Sequence, residues 1–517
     1  MHECYDVIII GAGTVGCACA RELSRYDLRI AVLEKNSDVA GETSGRNSAV
    51  VHAGFNNRPG SLMASLCVEG NEGFESLCAE LDVPFHRTGK LVAGFDAEDA
   101  QMLERLLEQG RKNGCRDLEI LRGEKLQELL KQRGMECIEA AADEASACRG
   151  PVAALWSPRT GITNPFLYCV ALAENALANG AEFFLGTEVT GIWKTEEGPF
   201  LVQASGETFR CRYLINCAGL GADRIARMAG VDSYHIYPCR GEYYILDKAD
   251  PGKQPLPMPV YPAPREKSGG LGVHLTPTIE GNIIIGPSAE YIDARDDYAC
   301  TRSVMDELMR QAEQLLPQIS QRQPIGNYSG IRPKLSPPEQ GGYSDFVIRM
   351  EEDVPGLIDL VGIESPGLTA SVPIARMVCD RIDEAEQEGR AAEAGSVRGC
   401  GLRPRPDFCA RRQGILRFRE QTPRRQAELI REDPDYGEII CRCQKITKRE
   451  IRQAIENPLG ARSITAIKYR AWATTGRCNG GYCLPRIVQM LVNDYGMKPE
   501  EICCRDPGSE MFTGHVK

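Results

Sequence analysis

The sequence predicts an α/β dinucleotide-binding domain of the Rossmann-like kind. An antiparallel α+β domain is inserted in it, and a small, mainly helical domain with paired cysteines follows. Three stretches predict this. YDVIIIGAGTVGCACARELSR, from Tyr5, reads as an apolar strand, a glycine turn and a helix. Residues of about 234–290 are rich in Tyr, Pro and β-branched types and read as antiparallel sheet. Near the end, IICRCQK and TTGRCNGGYCLP carry cysteines at ligand-like spacings.

The remaining elements follow in order. RIAVLEK is a second buried strand ending in Glu34, and helical patterns run over about 61–82 and 98–131. NPFLYCVALAENALANGAEFFLG reads helix, turn, strand; FLVQAS and RCRYLINCAG are further strands; 302–316 is helical. GLIDLVGIESPGLTASVPIARMVCDRI reads strand, Gly-Pro loop, helix. After about residue 385 the composition turns charged and Pro/Gly-bearing, as in a connector. The expected units are 1–385, 386–435 as connector, and 436–517. Within the first, nucleotide-binding parts lie at about 1–90, 150–225 and 325–385, and inserted parts at about 91–149 and 226–324.

A chain of 517 residues is too long for one ordinary domain, and 42% hydrophobic content is enough for sizeable cores. A net charge of −11 without a long basic run argues against nucleic acid as a partner. No apolar run approaches a membrane span, and MHECYDVIIIGAG reads as a strand rather than a signal peptide, so the cytoplasm is expected. The 22 cysteines do not suggest a disulfide scaffold in so long a chain. Cys17, Cys19, Cys169 and Cys217 read as buried small hydrophobes.

Gly11, Gly13 and Gly16 form G-x-G-x-x-G between strand and helix, and Glu34 ends the next strand eighteen residues beyond Gly16. Gly11 permits the turn, Gly13 admits a pyrophosphate, and Gly16 allows close helix–strand packing. The helix N-terminus favours the anion, and Glu34 can accept hydrogen bonds from ribose hydroxyls. FAD and NAD share this fingerprint.

The next segment, GETSGRNSAVVHAGF, favours FAD. Here the chain resembles the D-amino-acid-oxidase-like flavoprotein superfamily, which includes glycerol-3-phosphate and L-2-hydroxyglutarate dehydrogenases. The resemblance spans roughly residues 4–385 and implies a glutathione-reductase-type FAD domain. It implies that Thr43, Ser44, Asn47 and Ser48 run beside the flavin, with Val189 near the adenine. It also implies flavin contacts at Ala218, Gly219, Gly362, Gly367, Leu368 and Thr369. A helix N-terminus at the closing loop would stabilise the reduced, anionic flavin.

HAGFNNRPGSLMASLCVEG, PCRGEYYIL and LGVHLTPTIEGNIIIGP resemble the L-2-hydroxyglutarate dehydrogenase branch, and YSGIRPKL its arginine-bearing strand. Alcohol oxidation needs a base, a cation for the substrate anion and a dry pocket. Of six histidines, His52 and His274 lie in the matched motifs and are the candidate bases. Arg332 is the candidate anion clamp, with Arg240, Tyr261 and Lys334 as weaker candidates.

Cys441 and Cys443 give C-x-C; thirty-four residues separate Cys443 from Cys478; Cys478 and Cys483 give C-x4-C. This resembles the bacterioferritin-associated-ferredoxin-like [2Fe–2S] domain, which implies these four as ligands, two per iron. A redox-silent zinc site and a disulfide pair are the alternatives, and Cys503 and Cys504 fall outside the pattern.

The expected function is an FAD-dependent dehydrogenase oxidising a small anionic secondary alcohol, glycerol 3-phosphate or L-2-hydroxyglutarate. Electrons would leave through the [2Fe–2S] cluster to an acceptor protein or a quinone-linked subunit, with room for peripheral membrane association. Three alternatives stand beside it. They are a dehydrogenase for an amine or amino acid such as a proline derivative, an electron-transfer subunit without its own substrate, and a cluster that only senses redox state.

Overall fold

A computed structural model describes residues 4–135, 150–194, 198–248, 256–264, 272–388 and 401–514. Of the expected segments, 136–149 of the inserted domain and 389–400 of the connector lie outside these residues.

The strand Cys4–Ile10 is the axis of the first sheet. It pairs in parallel with Ile30–Glu34 on one side and with Glu207–Asn216 on the other. Its residues Val7 to Ile9 are fully buried, as expected for a parallel strand covered on both faces. Glu182–Leu185 and Leu357–Val361 extend the parallel core. Phe200–Ala204, Val189–Lys194 and Val347–Met350 add antiparallel strands. The helix Thr14–Leu23 presents Cys17, Ala18, Cys19 and Ala20, all at 0% exposure, to its neighbours. Those small side chains let it approach the helices Pro165–Ala178 and Gly367–Glu388 closely. At Gly16 the approach is to backbone: a Cβ there would stand 1.9 Å from the Gly11 carbonyl oxygen.

The second sheet is antiparallel except where Val260–Pro262 pairs in parallel with Lys90–Gly94. Its long central pair is Tyr237–Leu246 with Pro324–Lys334, registered from Tyr237↔Lys334 to Leu246↔Pro324. The helix Arg302–Leu315 covers it through Met305, Leu308, Ala312 and Leu315, spaced for one helical face. Two strands change sheets relative to the sequence reading. Ala153–Ser157 and Pro324–Lys334 sit in the second sheet, because their partners are Lys90–Gly94 and Tyr237–Leu246. The pattern over 98–131 resolves into helices Ala97–Lys112 and Gly123–Gln132 around the strand Glu119–Leu121.

The helix Gly367–Glu388 continues past the expected boundary at 385. Residues 401–435, read as connector, are pinned to the first domain. Arg412 pairs with Glu174 at 2.6 Å, and the Cys409 N–H donates to Asn179 Oδ1 at 2.7 Å.

The tail forms its own small core around Ile440, Ile451, Ile467, Ile487 and Leu491. Its first helix, Lys448–Ile455, begins with a capping box between Thr447 and Glu450. Its second, Ile464–Ala471, docks on the first domain. Arg470 is buried and reaches Asp38 with both Nη atoms, at 2.6 and 2.9 Å. Tyr469 stacks on Phe166 at 4.2 Å between centroids.

Replacing Arg470 with Met would leave Asp38 buried beside Glu174 without its cation, at a cost of about 3–5 kcal/mol. The first unfolding transition in denaturant should move down by that amount, with the tail becoming the earliest site of protease cleavage. A shift below about 1 kcal/mol, the scale of an exposed pair, would show that the contact does not hold the tail in place.

Candidate functional site

A cavity of about 1050 Å³ is lined by residues of both sheets, at the upper end of the range for ligand pockets. One end is the glycine turn. Gly11, Gly13 and Thr14 line it, with Glu34 at the close of the second strand. A Cβ at Gly13 would stand 2.9 Å from Ser44 Oγ, which accepts a hydrogen bond from the Thr14 N–H at 2.9 Å. Thr14 Oγ1 is buried without a hydrogen-bond partner among the described residues. A bare backbone cradle with an orphaned hydroxyl at a helix N-terminus fits an anionic pyrophosphate.

Glu34 is held in place before any ligand arrives. It accepts from the Ala12 N–H at 2.7 Å and from the Asn36 N–H at 2.9 Å. Burial raises its pKa, and those two N–H groups pull the other way.

Thr43, Ser44, Asn47, Ser48, Val189, Ala218, Gly219, Gly367 and Leu368 all line the cavity. Gly16, Gly362 and Thr369 do not. Gly16 lies against Gly11, a Cβ at Gly362 would meet Leu335, and Thr369 Oγ1 accepts from the His52 N–H at 3.0 Å. Cys217, expected to be buried, is half-buried and on the wall, whereas Cys17, Cys19 and Cys169 are buried.

The other end brings together His52, His274 and Arg332. His274 stacks on Tyr261 with centroids 3.8 Å apart and planes 9° apart. Its Nδ1 lies 3.2 Å from the Gly272 carbonyl, which can only accept, so Nδ1 carries the proton and Nε2 is left as an acceptor. Nε2 is buried without a partner among the described residues. Burial pushes the His274 pKa down to about 3, and Lys90 and Arg332 add to the shift. His52 is also lowered, by burial first and then by Lys90 and His274. Its Nε2 is 3.5 Å from Ser365 Oγ. Arg332 donates to the Ser288 carbonyl at 3.2 Å and meets Cys239 Sγ at 3.6 Å.

Tyr261 and Lys334 are on the wall as well, Lys334 paired with Glu364 at 2.9 Å. Arg240 is not: it is committed to Glu290 and Asp297, each at 2.7 Å. Arg46, Lys90 and Ser365 are among the lining residues that the sequence analysis does not single out. Arg46 and Ser365 sit inside motifs already singled out; Lys90 could have been found as a lone cation opening the apolar run KLVAGF.

The four tail cysteines come as pairs. Cys443 and Cys478 are exposed, with their Sγ atoms 3.6 Å apart, while Cys441 and Cys483 are buried. The Tyr482 N–H lowers the Cys478 pKa. A hydrogen bond from Cys441 lowers Cys483 to about 7. The partners move oppositely: the hydrogen bond with Cys483 raises Cys441, and burial raises Cys443 to about 11, so each pair holds one lowered and one raised thiol. Among the described residues no three His, Cys, Asp or Glu side chains converge on one single-ion position. Beyond the cysteines, the Asn479 side chain donates to the Ile325 carbonyl at 3.1 Å, and Arg477 pairs with Asp247 at 2.8 Å. The cysteines therefore sit at the end of the long strand pair whose other end carries Arg332.

Residues 6–381 match the family described as FAD dependent oxidoreductase, and residues 439–493 match the BFD-like [2Fe-2S] binding domain. The chain is 36% identical to a protein named glycerol 3-phosphate dehydrogenase from Caloramator mitchellensis, over 99% of both chains. It is 33% identical to the mitochondrial L-2-hydroxyglutarate dehydrogenase of Arabidopsis thaliana, over 73% of this chain and 83% of that one. Among solved structures it resembles an FAD-bound L-α-glycerophosphate oxidase from Mycoplasma pneumoniae, with 27% identity and a TM-score of 0.67. That match covers 80% of this chain and 99% of that one. Glycine oxidase from Geobacillus kaustophilus, at 21% identity and a TM-score of 0.63, shares the fold. FAD and a [2Fe–2S] cluster are thus the cofactors of this chain, which belongs to the FAD dependent oxidoreductase family.

Proposed function

We propose that this enzyme oxidises the secondary alcohol of a small oxyanion, glycerol 3-phosphate first, and delivers the electrons to an external acceptor. The observation that carries the substrate is the full-length similarity to a glycerol 3-phosphate dehydrogenase, which extends through the tail. L-2-hydroxyglutarate is the second reading, favoured by relatives that match about three quarters of the chain. When bound, FAD would supply a hydride acceptor and the [2Fe–2S] cluster a one-electron carrier. Thr14, Ser44 and the glycine turn would hold the pyrophosphate, Glu34 the ribose, and Cys441, Cys443, Cys478 and Cys483 the irons.

The chain's own chemistry is proton and charge management. Arg332 binds the substrate anion, and its Ser288 contact fixes the guanidinium. His274 accepts the hydroxyl hydrogen through Nε2, the nitrogen that Gly272 leaves free. With no substrate present, burial and two cations keep His274 a weak base. An arriving oxyanion offsets those cations and raises its basicity, so proton acceptance is tied to substrate binding. The buried walls exclude water from the transfer.

Among the described residues no helix is long and apolar enough to cross a membrane. We place the reaction in the cytoplasm, where the cysteines stay reduced. The acceptor would meet the exposed Cys443 and Cys478 edge, as a carrier protein or a quinone-linked subunit.

Glycerol 3-phosphate should bleach the flavin under anaerobic conditions, with L-2-hydroxyglutarate and L-proline alongside as competitors for the assignment. Bleaching by L-proline alone would move the enzyme to amine oxidation. Cys478→Ser should still bleach with substrate but lose reoxidation by a one-electron acceptor. Unchanged reoxidation would remove the tail from the electron path.

His274→Ala should slow flavin reduction by about 10²–10⁴-fold, and a loss below about tenfold excludes it as the base. The pH dependence has a definite sign. A lowered histidine stays neutral further into acid, so kcat/KM, which reports the free enzyme, should show no acid limb at the ordinary histidine value of about 6.5. The acid limb of kcat should lie at higher pH than that of kcat/KM, because bound anion raises the group.

A further inference from the structure

Lys90 is the first residue of the strand Lys90–Gly94, which opens the second sheet. Strand alternation puts Leu91 into the core on one face and Lys90 with Val92 on the other, toward Phe55 and Tyr261. The side chain is 1% exposed, yet it lines the cavity with His52, His274 and Arg332. Its Nζ lies 4.5 Å from the Phe55 ring centroid and 4.3 Å from that of Tyr261. No carboxylate among the described residues pairs with it. Two ring faces attract an ammonium weakly compared with the cost of taking it out of water. Burial accordingly pushes Lys90 down to about 7. Tyr261, which covers it, also stacks on His274, whose Nε2 is unpartnered. A buried cation and a buried acceptor thus share one wall, each lacking the group that would complete it.

A purely structural role does not account for this. A methionine would fill the same space between two aromatic rings without a charge to desolvate. The lysine is worth keeping if something negative enters beside it.

We propose that Lys90 is a substrate-binding residue that takes an oxyanion of the substrate, phosphate or carboxylate, at the wall formed by Phe55, Tyr261 and His274. It is a second cation, additional to Arg332, and together they select a doubly charged substrate over a neutral alcohol. This rests on the reading that a small oxyanion enters the cavity.

The test compares wild-type holoenzyme with Lys90→Met, both loaded with FAD. Flavin reduction is titrated with glycerol 3-phosphate in one arm and L-2-hydroxyglutarate in the other. Thermal-shift titrations with inorganic phosphate and with glutarate run in parallel. In the variant the substrate Kd should rise about a hundredfold, with the limiting reduction rate kept within about tenfold. Its Tm without anion should be equal to or above wild type, and the stabilisation by the matching anion should vanish. The arm that collapses names the anion. The proposal is overturned if Lys90→Met binds both substrates and both anions like wild type. It is equally overturned if the rate falls a hundredfold while Kd stays fixed, which would make Lys90 a proton carrier. Should neither substrate reduce wild-type flavin, the functional reading fails, but the phosphate and glutarate titrations still decide on Lys90. If Lys90→Met does not retain FAD, Lys90→Gln is measured in the same way.

Discussion

A buried chain of charges holds this molecule in one arrangement. Asp38 accepts both Nη atoms of Arg470, Arg470 Nε faces Glu174 at 3.7 Å, and Glu174 in turn pairs with Arg412 at 2.6 Å. The four residues come from the loop after the second strand, the tail, a helix of the first domain and the segment read as a connector. None of these charges could be left alone in so dry a place. Satisfying all of them allows a single docking of the tail. Asp38 lies just before Thr43, Ser44, Asn47 and Ser48, which line the cavity. A Cβ at Gly45 would meet Phe166, the ring on which Tyr469 of the tail stacks. The iron–sulfur domain thus braces the loop that borders the flavin cavity, and is not simply tethered after it.

The cavity follows the opposite rule. Among the described residues Arg332 meets the Ser288 carbonyl, the Cys239 thiol and the Tyr243 hydroxyl, Lys90 faces two rings with no carboxylate, and burial lowers both candidate histidines, with Lys90 adding to each shift. Where the docking interface pairs Asp38, Arg470, Glu174 and Arg412 with one another, the substrate end leaves positive charge and acceptors unsatisfied. Such a pocket favours an anion that carries its own proton donor, which is what a hydroxylated phosphate or carboxylate is. On the proposed reading the chemistry is conditional: His274 would gain basicity only when the anion has entered.

Much of this was legible in the sequence because it rests on local patterns. The strand, glycine turn and helix at 4–23 are set by apolar run and glycine spacing, and the cysteine pairs by spacing alone. What escaped depends on pairing between distant segments. Ala153–Ser157 looks like any buried strand, and only its partner Lys90–Gly94 puts it in the second sheet. Arg240 looked like an anion clamp until Glu290 and Asp297 claimed it. Lys90 was passed over because a lysine at a strand end is ordinarily solvated. Its burial arises from Phe55, thirty-five positions upstream, and from Tyr261, far downstream. The charged composition after 385 read as a connector, yet Arg412 pairs with the buried Glu174 and Arg405 donates to the Asn179 and Leu28 carbonyls of the first domain.

The long strand pair gives the two sites a fixed relation. Tyr243 and Tyr328 stack across it at 4.6 Å; Tyr243 lines the cavity, and the Tyr328 hydroxyl donates to the Asn47 carbonyl at 3.0 Å. Three residues further along, Ile325 accepts from Asn479, beside Cys478. Three residues of strand span roughly 10 Å. The cavity wall and the cysteine loop are therefore joined by one rigid, hydrogen-bonded ladder and not by a mobile linker. Under the proposed function, electrons from a flavin in this cavity would leave toward a cysteine loop held against the same strand pair.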